Sequence, residues 1–227
     1  MRHITFELCA ETLEACLAAR DGGAHRIELC ASLDVGGLTP AVSLTREVVA
    51  HSGLPVHAMV RPRAGDFVYS ADEFALMRDE ILRMKDGGAA GVVFGLLHPD
   101  ATVDIERTRD LVRLAHPMQV TFHRAFDETP TLSQALEDVI ATGCDRVLTS
   151  GGQPDVLAGA AALAPLVTQA GDRIVIAAGG GLRLQNAAAV ARITNATHFH
   201  GSLRTSPTET VVDANTIRSL IDNLCSA

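Results

Sequence analysis

A closed (β/α)8 barrel is the fold class the sequence predicts, and three observations predict it. Short β-rich apolar runs alternate with amphipathic helical stretches along the 227 residues, there are eight such runs, and glycines punctuate the helical stretches from end to end. Strands that alternate with helices need right-handed crossovers and so a parallel sheet. Eight units in a chain near the usual ~250 residues favour closure into a barrel. An open doubly wound sheet is expected to carry a glycine fingerprint after its first strand, where "CAETLEA" has no glycine. No linker, low-complexity segment or composition shift divides the chain, so residues 1–227 read as one domain.

In order, the first run, "ITFEL", alternates Ile4, Phe6 and Leu8 with Thr5, Glu7 and Cys9. If the apolar set faces the helices, the second set faces the lumen. "HRIELC" does the same with Ile27 and Leu29 against Arg26, Glu28 and Cys30. "VHAMVR" turns His57, Met59 and Arg61 inward, and "AGVVFG" is the fourth run. "MQVTFH" delivers Thr121 and His123, "DRVLTS" ends on Ser150, "RIVIAA" is the seventh, and "THFHGS" turns in His198, His200 and Ser202. Among the helices, Thr39 before Pro40 is expected to be an N-cap with the first helical residue, and Ser70 with Glu73 a capping box. Gly22, Gly23, Gly53, Gly87, Gly88, Gly143 and Gly171 stand where a left-handed C-terminal residue is wanted.

Composition limits the partners. The chain is 47% hydrophobic and 20% charged, with a net charge of -8 and a pI near 5.5. That balance disfavours nucleic acid and anionic membrane, because phosphate binding needs a basic face. "MRHITFELCAE" has no apolar leader-like region, and no run approaches the ~18 apolar residues that span a bilayer. A cytoplasmic location is the expectation, and a homo-oligomer is compatible with it. Five cysteines, none in a CxxC pair, read as reduced thiols, mostly core filler.

The lumen is unusually polar, and barrel chemistry sits at the C-terminal ends of the strands. Glu7, Glu28, Arg61, His123, His200 and Ser202 all fall at or near those ends. The structural alternative is a satisfied layer of ion pairs, for example Glu28 with Arg61. Convergence of the whole set on one mouth favours a ligand pocket. After strands seven and eight, "AAGGGLR" and "GSLR" bring Gly179, Gly180, Gly181 and Gly201 to the loops where barrels often hold phosphate. The long loop "RPRAGDFVYS", with Arg63, Asp66 and Tyr69, is placed to close over the mouth as a lid. Arg63, Asp66, Ser150 and His200, with these glycines and Ser202, make up the expected anion-binding set. "FELC" and "IELC" put Cys9 and Cys30 at matching positions on neighbouring strands, within reach of one soft ion such as Cu(I). Two small buried hydrophobes are the alternative.

Six collinear segments, "RIELC", "GGLTP", "RPRAGDFVYS", "VTFHRAFD", "RVLTSGG" and "AGGG", resemble the CutC family of copper-homeostasis proteins. The resemblance implies a cytoplasmic TIM-type barrel that takes part in control of intracellular copper, with Cys9 and Cys30 as the metal ligands. Where many family members carry a longer segment after strand eight, "LRTSPTETVVDANTI" here passes quickly into the last helix. Beside that implication stands an enzyme reading from the lumen itself. His123 would serve as acid or base, Glu7 or Glu28 as its partner, and Arg61 as anion clamp, on a small phosphorylated or hydroxylated carbon compound. The expected partner is therefore a copper ion or a small anionic molecule. A divalent ion on Glu7, Glu28 and a histidine is a further alternative.

Overall fold

The computed structural model describes residues 3–206 and 209–227. Met1 and Arg2, from the segment "MRHITFELCAE", and Pro207 and Thr208, from the segment "LRTSPTETVVDANTI", lie outside the described residues. Eight parallel strands, β1 (Thr5–Ala10), β2 (Arg26–Leu29), β3 (Val56–Met59), β4 (Gly91–Phe94), β5 (Gln119–Phe122), β6 (Arg146–Thr149), β7 (Val175–Gly179) and β8 (His198–Gly201), pair in sequence order and close through β1 and β8. Six of the eight runs read from the sequence contain one of them whole, and "ITFEL" and "RIVIAA" stop short of the ends of β1 and β7 at Ala10 and Gly179. Among the described residues the α-helices are α1 (Leu13–Asp21), α2 (Val42–Ser52), α3 (Ala71–Asp86), α4 (Ile105–Ala115), α5 (Leu132–Thr142), α6 (Ala160–Ala170), α7 (Ala187–Thr194) and α8 (Ala214–Cys225), and short 3-10 turns cover Leu33–Val35 and Arg124–Glu128.

The period-two reading holds because a strand between a lumen and a helical coat must send alternate side chains to each. Phe6, Leu8, Ile27, Leu29, Phe94, Phe122 and Phe199 belong to the large apolar core between sheet and helices. Cys9, Cys30, Met59 and Val93 form a separate small apolar cluster inside the barrel. Most of the remaining lumen is charged or polar, with Glu7, Arg26, Glu28, His57, Thr121, Arg146 and His200 all buried. Glycines make room for the imidazoles. A Cβ on Gly91 would stand 2.6 Å from the His57 ring, and one on Gly95 would stand 2.6 Å from His123 Nδ1.

Ser70 and Glu73 form the expected capping box at α3. Thr39 does not cap α2, whose N-cap is Ala41. Its hydroxyl is occupied elsewhere, accepting the Arg61 N–H at 3.0 Å and donating to Glu80 at 2.7 Å. Gly22 and Gly87 are right-handed, and the left-handed turn falls one residue later at Gly23 and Gly88.

Candidate functional site

The β1–β2 and β1–β8 registers set Glu7 opposite Arg26 and His200, and Cys9 opposite Glu28. Glu7 therefore sits in a ring of positive groups: Arg26 Nε donates to its Oε2, His200 Nδ1 lies 2.8 Å from Oε1, and Arg146 NH1 lies 3.9 Å from Oε2. Burial alone would raise its pKa, but the His200 hydrogen bond and the charges of Arg26, His200 and Arg146 outweigh it and hold the carboxyl well below the usual range. Burial pushes Arg146 down to about 10.

One step nearer the mouth, Cys9 Sγ donates to Glu28 Oε1 at 3.2 Å and lies 3.6 Å from Cys30 Sγ. The hydrogen bond with Cys30, burial and the Glu28 charge together push the Cys9 thiol well up, so the metal-free thiol is protonated. Burial raises Glu28, against the attraction of His200, and Glu7 adds to the rise. His200 Nε2 is 3.8 Å from Glu28 Oε1. Burial works against the charged imidazole, yet Glu28 and Glu7 together raise its pKa.

Above this layer opens a cavity of about 410 Å³ whose walls include Cys9, Glu28, Met59, Arg61, His123, His200, Gly180, Gly181, Gly201 and Ser202. His123 accepts the Ala125 N–H at Nδ1, 3.2 Å away, and its Nε2 is buried with no hydrogen-bond partner among the described residues. Burial and then the Arg61 charge lower its pKa to about 3. The neutral ring thus carries its proton on Nε2 and offers an N–H donor. Phe67 packs on it with ring centroids 4.8 Å apart.

The structure distributes the sequence-predicted set unevenly. Arg61 lines the cavity but does not pair with Glu28. Its guanidinium donates to the carbonyls of Val35, Gly37 and Gly65 at 2.9–3.1 Å and lies over Phe67, so it fastens two mouth loops together. Arg63 and Asp66 pair with each other, and Arg63 also binds Glu73, outside the cavity wall. Tyr69 is buried. Ser150 is buried too, hydrogen-bonded to Asp127. Glu7, Cys30 and Gly179 lie beneath the wall rather than on it.

Leu33, Phe67, Arg124, Asp127, Glu128 and Arg183, none of them in the sequence-predicted set, also face the cavity. Asp127 accepts from Arg124 Nε, from Thr149 and Ser150, and from the Gly152 N–H, so "FHRAFD" and "LTSGG" are two halves of one knot. Two adjacent motifs rich in donors and one acidic acceptor are the signal that could have paired them. Leu33 opens a single 3-10 turn, Leu33–Val35, and Phe67 lies in an irregular loop, and neither stretch is long enough or regular enough for periodicity to carry information.

The comparisons with known proteins agree with this architecture. The family model described as "CutC family" matches residues 4–205. The chain belongs to the CutC family. It is 47% identical over 198 residues to a CutC family protein from Chromobacterium violaceum, covering 87% of this chain and 80% of that one. It is 46% identical over 196 residues to the Vibrio vulnificus CutC family protein, covering 86% and 78%. A solved structure from Streptococcus agalactiae, assigned to copper homeostasis as a CutC by name, is similar with a TM-score of 0.83 at 30% identity, covering 88% of this chain and all of that one. N-(5'-phosphoribosyl)anthranilate isomerase from Pyrococcus furiosus, at 14% identity and a TM-score of 0.64, shares the barrel alone. Among the described residues, no helix is long and apolar enough to cross a membrane.

Proposed function

We propose that the barrel mouth binds Cu(I) through Cys9 and Cys30 and that the protein handles copper in the cytoplasm without turnover, in keeping with the copper-homeostasis name of its family. The observation that carries this reading is the pair of sulfurs 3.6 Å apart. With metal–sulfur bonds of about 2.3 Å, such a pair subtends roughly 100° at a shared ion, which needs no backbone movement. The pair lies in one apolar cluster with the Met59 thioether, and thiolate and thioether donors select Cu(I) over harder ions. Cys9 reaches the cavity, so an ion has a way in. Binding must expel thiol protons, so affinity rises with pH. Titration of the reduced protein against a chromophoric Cu(I) chelator is expected to give one ion per chain, lost in Cys9→Ala and in Cys30→Ala. Undiminished binding in the double variant would remove this ligand assignment.

The cavity favours a second reading. Its volume of about 410 Å³ falls within the ~300–1,000 Å³ of small-molecule sites and exceeds what one ion fills. The His123 N–H and the Arg124 and Arg183 side chains face it, and the left-handed Gly180 and Gly181 form its rim. In this reading the ligand is a small phosphorylated or hydroxylated carbon compound. Glu28 is the base, His123 polarises a carbonyl, Arg61 holds the loops, and Glu7 holds His200. The thermal midpoint is expected to rise by roughly 5–10 °C with such a compound at 100 times its Kd. The rise should shrink in His123→Asn and Arg183→Ala; an equal shift in both variants places the compound elsewhere.

A further inference from the structure

We infer that Cys9, Glu28 and His200 form a binding site for a borderline divalent ion of the Zn(II) class, with the fourth coordination position open to the cavity. One ligand atom from each of the three residues lies within 4.8 Å of the others, and all three residues are buried. The separations suit one ion. Cys9 Sγ is 3.2 Å and His200 Nε2 is 3.8 Å from Glu28 Oε1. Tetrahedral bonds of about 2.0–2.3 Å place neighbouring donors roughly 3.4–3.6 Å apart, between those two values.

Two independent observations point to a ligand here. Glu28 is 2% exposed, yet its Oε2 has no hydrogen-bond partner among the described residues, an arrangement that costs free energy unless something else satisfies it. His200 turns Nδ1 to Glu7 Oε1 at 2.8 Å and leaves Nε2 toward Glu28. A carboxylate on the far nitrogen is the outer arrangement that orients a metal-binding imidazole. Glu7 is itself fixed by Arg26, so the ring is held before any ion arrives.

The donor set identifies the ion class. One sulfur, one imidazole nitrogen and one carboxylate oxygen suit Zn(II) and its spectroscopic substitute Co(II) better than Cu(I), magnesium or calcium. Since Cys9, Glu28 and His200 all line the cavity, the vacant position would face any molecule within it. Glu7, the carboxylate considered from sequence for such an ion, is a positioning residue instead. This site shares Cys9 with the Cu(I) assignment but uses neither Cys30 nor Met59, so it stands whether or not that assignment does. Both ions would compete for the Cys9 thiolate.

Titration of the reduced full chain with Co(II) tests it. The expected result is one Co(II) per chain, with thiolate-to-cobalt absorption in the near ultraviolet, displaced by Zn(II). Cys9→Ser should abolish that absorption, Glu28→Gln and His200→Asn should each weaken affinity at least tenfold, and Cys30→Ser should leave affinity within about threefold. Glu7→Gln should weaken it about 10–100-fold through His200. Circular dichroism and thermal unfolding establish that each variant is folded. Where one is not, X-ray absorption of the Zn(II)-loaded wild type decides: one sulfur with nitrogen and oxygen neighbours supports the site, and two sulfurs overturn it. No saturable Co(II) binding, or binding lost equally in Cys30→Ser and Cys9→Ser, also overturns it. Loss of Cu(I) alone in Cys30→Ser, with Co(II) retained, separates the two sites.

Discussion

Glu7→Ala is expected to destabilise the protein by about 3–5 kcal/mol, because it leaves two buried guanidinium groups without their counter-charge. Arg26 and Arg146 are 8% and 3% exposed, and Glu7 is the carboxylate that both approach. Against a total stability of about 5–15 kcal/mol, such a loss is large. The pair itself need not contribute much net stability, since burying both charges costs nearly what their attraction returns. Exchanging Glu7 and Arg26 together for glutamine is therefore expected to be milder than Glu7→Ala alone. Urea unfolding of the three proteins measures both effects, and a Glu7→Ala loss below about 1 kcal/mol would mean that water reaches this layer.

Stability is also expected to fall steeply as pH drops from 6.5 toward 3. His57 and His123 have their pKa values lowered to about 3, in each case chiefly by burial. The unfolded chain therefore binds these protons while the folded barrel refuses them, and stability is lost as pH falls through the unfolded value. At pH 5 each histidine costs about 2 kcal/mol relative to pH 8. His200, whose pKa is raised, is protonated in both states below 6.5 and leaves the slope in that window unchanged. Glu28, also raised, works in the opposite direction above about 4.5, and Glu7 adds to acid lability only lower down. Variants isolate the histidine contribution. His123→Asn keeps an oxygen to accept the Ala125 N–H and should reduce the slope of unfolding free energy against pH by about one proton. An unchanged slope would mean that His123 takes up its proton in the folded state.

Both effects originate in a lumen whose composition could be read from the strands but whose pairing could not. Period two placed Glu7, Arg26, Glu28, His57 and His200 inside the barrel, and the structure has all five buried. It could not say that Glu7 would take both Arg26 and His200, because that depends on how β1 registers with β2 and with β8. Arg61 shows the limit most clearly. An inward arginine near a strand end reads as an anion clamp, yet three loop carbonyls claim its guanidinium. Carbonyls leave no mark in a sequence, since every residue has one.

The sequence by itself determined the class of fold, the order of its elements and the polarity of the lumen, since these follow from the alternation of apolar residues and from turn chemistry, which are local. It also put Cys9 and Cys30 at neighbouring strand ends, Cys9 within β1 and Cys30 one residue past β2. Only the tertiary structure decided which polar groups satisfy one another and which are left facing the cavity. Closure brings β8 beside β1 and sets His200 against Glu7, 193 residues apart along the chain. That contact leaves Nε2 for the cavity side, and no local pattern encodes it because it exists only once the barrel has closed.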